Sequence, residues 1–85
     1  MTIDVSVTNY GAVTAKGVIV WAGFDAGNDK AWGASESASF HLGYDETREI
    51  TLHIEAPKGV HTRVLVWVWG DNFNILKSES DWFST

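Results

Sequence analysis

The chain has 85 residues, six basic against eleven acidic side chains, a formal net charge of −5, and an apolar content of 45%. That length fits one domain spanning residues 1–85, and ordering costs of roughly 1.5 kcal/mol per residue require nearly all the apolar side chains to enter a single core. Having no cysteine, the chain has no disulfide staple, thiolate metal site or thiol redox chemistry, and its scattered Lys and Arg leave no basic footprint for nucleic acid.

Spacing-two alternation runs through the sequence, and helical spacing is almost absent. Ile3, Val5 and Val7 alternate with Asp4, Ser6 and Thr8 as a half-buried first strand, which ends at the turn signal Asn9-Tyr10-Gly11. There Asn9 and Gly11 are expected to supply positive φ. Residues 15–24 follow, apolar on both parities through Val18-Ile19-Val20-Trp21-Ala22-Gly23-Phe24, which suits a central strand covered on both faces.

Asp25 to Lys30 reads as a polar loop, Trp32 to Ala34 as a short third strand, and Ala38, Phe40 and Leu42 as the inward parity of a fourth. Gly43-Tyr44-Asp45-Glu46 turns the chain, with Asp45 expected to accept backbone N–H bonds. Ile50, Leu52 and Ile54 then give the cleanest alternation, closed by Pro57-Lys58-Gly59.

Residues 60–69 place Val60, Thr62, Val64, Val66 and Val68 on one parity and His61, Arg63, Leu65, Trp67 and Trp69 on the other. After Gly70-Asp71-Asn72 a last strand runs from Phe73 to Phe83 with a polar middle. Six or seven strands at such spacing predict an all-β, antiparallel β-sandwich. Its expected core is Val5, Val7, Val18, Val20, Phe40, Leu42, Ile50, Leu52, Ile54, Val64, Val66 and Val68.

The longest apolar run, Val64 to Trp69, is far short of a membrane-spanning helix, so no membrane insertion is expected. Met1-Thr2-Ile3-Asp4 carries no signal-peptide pattern; the expectation is an intracellular protein or a piece of a longer exported chain.

The motifs Val5-Ser6-Val7-Thr8-Asn9-Tyr10-Gly11, Ala15-Lys16-Gly17-Val18, Phe40-His41-Leu42-Gly43-Tyr44-Asp45-Glu46-Thr47, Gly59-Val60-His61-Thr62, Gly70-Asp71-Asn72 and Ser78-Glu79-Ser80 together resemble the CARDB family, the cell adhesion related domain found in bacteria. The resemblance covers Ile3 to about Asp81. It implies an immunoglobulin-like sandwich, a role as a module of a prokaryotic surface or secreted protein, and an extracellular or cell-surface location. Two departures stand out: family members begin with a strand ahead of the one that here starts at Ile3, and Val64 to Trp69 is richer in Trp. The first implies a sheet edge completed by another polypeptide.

Candidate chemistry is sparse. Asp25, Asn28 and Asp29 form an oxygen-rich loop of the type calcium prefers, as do Asp71, Asn72 and Asn74 with Glu79 and Asp81 downstream, but neither has the spacing of an EF-hand. His41, His53 and His61 are the conceivable zinc ligands. The bland reading, solvated loops and outer-face histidines, outweighs both, so no metal and no cofactor is expected. With no nucleophile elbow and no converging carboxylates, the chain is not expected to be an enzyme.

Five Trp in 85 residues are more than one thin core takes up. With the Val parity of residues 60–69 inward, Leu65, Trp67 and Trp69 point out, and Trp21 on the outer parity of the second strand joins them. Trp21, His61, Arg63, Trp67 and Trp69 are therefore the candidate binding residues. The expected function is a non-catalytic interaction, spacer or adhesion module that contacts other protein domains, or itself, through a sheet face or edge. The alternatives are a carbohydrate-binding module stacking sugars on exposed Trp, with His61, Arg63 and Asn72 as hydrogen-bonding flanks, and an accessory domain of a surface hydrolase.

Overall fold

Antiparallel pairing accounts for all the regular structure in the computed structural model, which describes residues 1–85 and contains no helix. In chain order the strands are β1 (Thr2–Thr8), β2 (Ala15–Gly27), β3 (Lys30–Glu36), β4 (Phe40–Leu42), β5 (Thr47–His53), β6 (His61–Thr62), β7 (Val64–Trp69), β8 (Leu76–Glu79) and β9 (Phe83–Ser84). β1 and β5 form one ribbon. The larger sheet runs β3-β2-β7-β8, β4 pairs with the first part of β2, and β6 with β9.

The core lies between the ribbon and the larger sheet. Val20, Ala22 and Phe24 of β2 and Val64 of β7 pack with Leu52 of β5 and with Ile54, while Ile3, Val5, Val7, Ile50, Val66 and Val68 border that cluster. Val18 and Leu42 are buried where β4 meets β2. The alternating strands thus turn their apolar parity inward as period-two geometry requires, an arrangement compatible with a β-sandwich.

Turn chemistry departs from expectation in three places. β2 does not end at Phe24 in a polar loop; it continues to Gly27, and Asn28 and Asp29, at φ 50° and 59°, make a two-residue turn straight into β3. Both central residues are left-handed, the pattern of a type I′ hairpin whose twist matches the flanking strands. Asn9 and Gly11 do not use positive φ. Instead the Asn9 side chain binds three ways: Oδ1 accepts the Gly11 N–H at 2.8 Å, and Nδ2 donates to the carbonyls of Val13 and Leu42 at 2.9 Å each. At the 43–46 turn it is Asp45 that takes positive φ, 58°, and Glu46 whose carboxylate accepts the Gly43 N–H.

The strand expected over residues 60–69 is interrupted at Arg63. Thr62 pairs with Phe83, whereas Val64 pairs with Phe24, so the chain changes partners in one residue. The Thr62 hydroxyl, fully buried, donates to the Asp25 carbonyl at 2.7 Å, and the Asp25 N–H donates to the Arg63 carbonyl at 2.8 Å. The polar groups of the break are thereby satisfied inside the fold.

Candidate recognition surface

β2 and β7 pair with Val20 opposite Val68, Ala22 opposite Val66 and Phe24 opposite Val64 on the core side. The intervening pairs, Ile19 with Trp69, Trp21 with Trp67 and Gly23 with Leu65, therefore lie on the outer face. β8 adds Lys77 beside Trp67 and Glu79 beside Leu65, and β3 adds Glu36 beside Trp21. One row thus reads Glu36, Trp21, Trp67, Lys77, two aromatics between an acid and a base.

The Trp21 and Trp67 rings stack at a centroid separation of 4.7 Å and an interplanar angle of 22°, and the Lys77 ammonium sits 5.8 Å from the Trp67 ring centre. Glycine at 23 makes room for this: a β-carbon there would meet Trp21 Cη2 at 3.2 Å and the β-carbons of Ala31 and Ala34 at 3.0 and 3.2 Å. Trp67 Nε1 is buried without an acceptor. A donor of this kind costs about 1–3 kcal/mol when left unpaired, so its persistence calls for an explanation.

Arg63 stands further along the same stripe, four residues and about 13 Å from Trp67 at ordinary strand rise. Its Nε donates to Asp25 Oδ2 at 3.0 Å, and Nη1 pairs with Glu79. Trp82 completes this end: the Arg63 guanidinium lies 4.5 Å from its ring centre, and the His61 ring stacks on it at 5.3 Å and 12°.

The five candidate binding residues thus fall into two groups, Trp21, Trp67 and Trp69 on the sheet face and His61 with Arg63 at its end. The three tryptophans occupy the outer parity as expected, but all are half-buried, Trp21 and Trp67 through stacking on each other, instead of standing free. Leu65, expected to point out, does so yet is only 5% exposed, enclosed on its row by Gly23 and Glu79 and along its strand by Arg63 and Trp67. The residue missed in the sequence was Trp82, the most exposed tryptophan at 50%; its neighbours His61 and Arg63 become adjacent only through the β6 and β9 pairing. Trp32, opposite Phe24, packs on the core instead.

The oxygen-rich loops are engaged internally. Asp25 accepts the Gly27 N–H and the Arg63 guanidinium, and those two bonds, the backbone one foremost, hold its carboxyl below the usual 3.8. Asn72 accepts the Lys16 N–H and donates to the Thr14 carbonyl, which ties the 71–74 segment to the start of β2. His53 meets Thr2 across the ribbon. No three His, Asp or Glu side chains converge on a common point.

A group whose folded pKa is lowered contributes stability above its unfolded pKa and loses it as pH falls through the folded value. Asp25→Asn is therefore expected to lower the melting temperature by a few degrees at neutral pH, with the deficit constant down to about pH 5 and shrinking below the ordinary value of 3.8. Melting curves of the two proteins between pH 2 and 7 check this; a deficit that persists undiminished at pH 2 contradicts it.

Comparison with protein families, curated proteins and solved structures finds no match to this chain.

Proposed function

We propose that the chain is a non-catalytic interaction module, an immunoglobulin-like domain of the CARDB type that serves as a spacer or adhesion unit of a prokaryotic surface or secreted protein. It contacts a neighbouring protein domain through the outer face of the larger sheet. The observation that carries this reading is the company the tryptophans keep. Along β2 and β7 the stacked pair is followed in register by Ile19 with Trp69, while Leu65 on the other side is closed over, the aliphatic setting of a protein contact with aromatic anchors at its centre.

Sugar stacking needs a free, flat aromatic face beside hydrogen-bonding side chains. Trp21 and Trp67 cover each other, and the ring of Trp82 is met by His61 and Arg63. The carbohydrate reading is the weaker one for that reason.

Photo-crosslinking tests the proposal, with benzoylphenylalanine replacing Trp69 in cells producing the protein at the surface. Cross-links to defined residues of a protein domain, lost on adding Trp67→Ala, are expected, alongside unchanged tryptophan fluorescence with soluble β-glucan, xylan or chitooligosaccharide. A saturating fluorescence change with any of these sugars, abolished by Trp67→Ala or Trp82→Ala, overturns it.

A further inference from the structure

We propose that the open edge of β1 accepts an added β-strand from a partner polypeptide, an extended segment that alternates apolar and polar side chains and carries a basic residue opposite Asp4. The proposal deepens the reading of an interaction module by assigning a second contact, distinct from the tryptophan face.

The hydrogen-bonding state of β1 follows from its two ends. Met1 exchanges both backbone bonds with Ile54, at 2.8 and 2.9 Å, and the Asn9 N–H donates to Glu46 at 3.0 Å. In an antiparallel pair, bonded positions recur every second residue, so the odd residues Ile3, Val5 and Val7 address β5. Thr2, Asp4, Ser6 and Thr8 direct their N–H and C=O groups the other way, where β1 has no neighbour. A full ladder side is left unpaired.

The other outer edges carry protection: β5, the far side of the same ribbon and as long as β1, bears Arg48 and Glu49. β3 is broken by two register shifts, bends through Gly33 at φ 53° and bears Lys30 and Glu36. β8 is four residues long with Lys77 and Glu79. β1 pairs over seven residues in unbroken register and has one charge, Asp4. Proteins that keep a sheet edge unpaired blunt it with charge, bulges or brevity, and β1 has none of these beyond that single carboxylate.

Beside this edge runs an apolar trough. One part, about 350 Å³, lies between Ile3 and Val5 of β1 and Val66, Val68 and Leu76 of the larger sheet. It widens at the end of β1 into a cleft of about 520 Å³ that reaches Val13, Leu42 and Phe73, and Val68 and Leu76 line both parts. Leu76 shares the inward parity of Val68, its register partner, yet is 62% exposed, and Val13 is 71% exposed.

A strand hydrogen-bonded to Thr2, Asp4, Ser6 and Thr8 sends every second side chain into this trough and the remainder to the outer face beside Asp4. The ladder supplies the pairing, the trough, bordered by Lys77 as well as by the apolar side chains, selects apolar residues, and Asp4, the one charge on β1, whose Oδ1 accepts from the Thr51 hydroxyl at 2.8 Å, selects a basic residue on the outer face. A second copy of this chain offers at its own β1 an acidic strand and a bulky second sheet, which suits the site less than a free extended segment.

The probe is a synthetic peptide alternating valine with threonine around a central lysine, with a proline-interrupted peptide of the same composition as control, added to the isotopically labelled full chain. Expected is slowed amide exchange at Thr2, Asp4, Ser6 and Thr8 with the alternating peptide only, and at least tenfold weaker binding to Ser6→Pro. Proline at 6 removes a donor that faces the open side and leaves the β5 ladder intact. Asp4→Lys is a second variant, expected to weaken binding of the lysine peptide and to spare a glutamate-centred one.

Protection of these amides in the free monomer, their protection only on self-association, or peptide binding that protects other amides or ignores Ser6→Pro and Asp4→Lys each overturns the proposal. Because Ser6→Pro does not touch the tryptophan face, cross-links from position 69 persist in that variant. Failure of one contact is thereby separable from failure of the other.

Discussion

Phe24→Ala is expected to cost about 3–5 kcal/mol of stability, the range for truncating a buried aromatic. The side chain is 2% exposed, sits opposite Val64 and Trp32 in register, and meets the Phe83 ring edge-on at 6.0 Å and 69°. That last contact ties β9 to the core, so the substitution loosens the β6 and β9 pairing as well as opening a cavity. At roughly 0.05–0.15 kcal/mol per residue, a chain this long has on the order of 4–13 kcal/mol in total, so the variant gives up between about a quarter of it and all of it. Urea unfolding followed by circular dichroism measures the effect as a lower midpoint at similar slope. A loss under about 1 kcal/mol contradicts the placement of Phe24 at the junction of the sheets.

What could be read from the sequence was whatever a single strand decides for itself. The alternation of Ile50, Leu52 and Ile54 fixed which face of β5 is buried, and the Val parity of residues 64–68 turned Trp67 and Trp69 outward; both agree with the structure. The break at Arg63 was illegible because its cause is distant: Thr62 stays with Phe83 while Val64 joins Phe24, and no local feature of Thr62-Arg63-Val64 announces a change of partner. Of β3, Lys30–Glu36, only Trp32 to Ala34 is legible in the sequence. Its outer residues, Lys30, Ala31, Ser35 and Glu36, have little strand propensity, and the strand exists because β2 offers it a ladder.

The candidate surface shows the same division. Outward parity was decidable for Trp21, Trp67 and Trp69, but exposure was not, since the 4.7 Å stack that half-buries Trp21 and Trp67 depends on the register between β2 and β7. Trp82 is not legible as a site residue in the sequence, because its importance comes from Arg63 and His61, residues some twenty positions away that the return of β9 brings alongside. Asn9 is a turn residue, by its side chain and not by positive φ. Its amide bridges the carbonyls of Val13 and Leu42, and the second of these lies on another strand.

Gly33→Ala is the second substitution expected to act strongly, at a site with no large side chain at all. Gly33 lies on β3 at φ 53°, in the left-handed region, and a β-carbon there would fall 2.0 Å from the Glu55 carbonyl oxygen and 2.6 Å from the Glu55 nitrogen. Its carbonyl accepts the Glu55 N–H at 3.4 Å, which makes this the point where an edge strand of the larger sheet touches the chain leaving β5. Alanine therefore meets two penalties. The backbone conformation costs about 1–2 kcal/mol, and the clash is with backbone on both atoms, so no side chain can swing away to relieve it. Relief requires moving β3, or moving Glu55 together with Ile54, which is fully buried in the core. A combined loss on the order of 3 kcal/mol or more is expected by analogy with overpacked cores. Gly27→Ala separates the two penalties: its φ is 80°, but nothing lies within 4 Å of its β-carbon position, so it carries the conformational cost alone. The difference between the two unfolding free energies then measures the steric part. Displacing β3 also moves Glu36 from its place beside Trp21, and a changed tryptophan emission in folded Gly33→Ala is the companion signal. Equal losses in the two variants, with unaltered emission, contradict this account of how β3 is held against the ribbon.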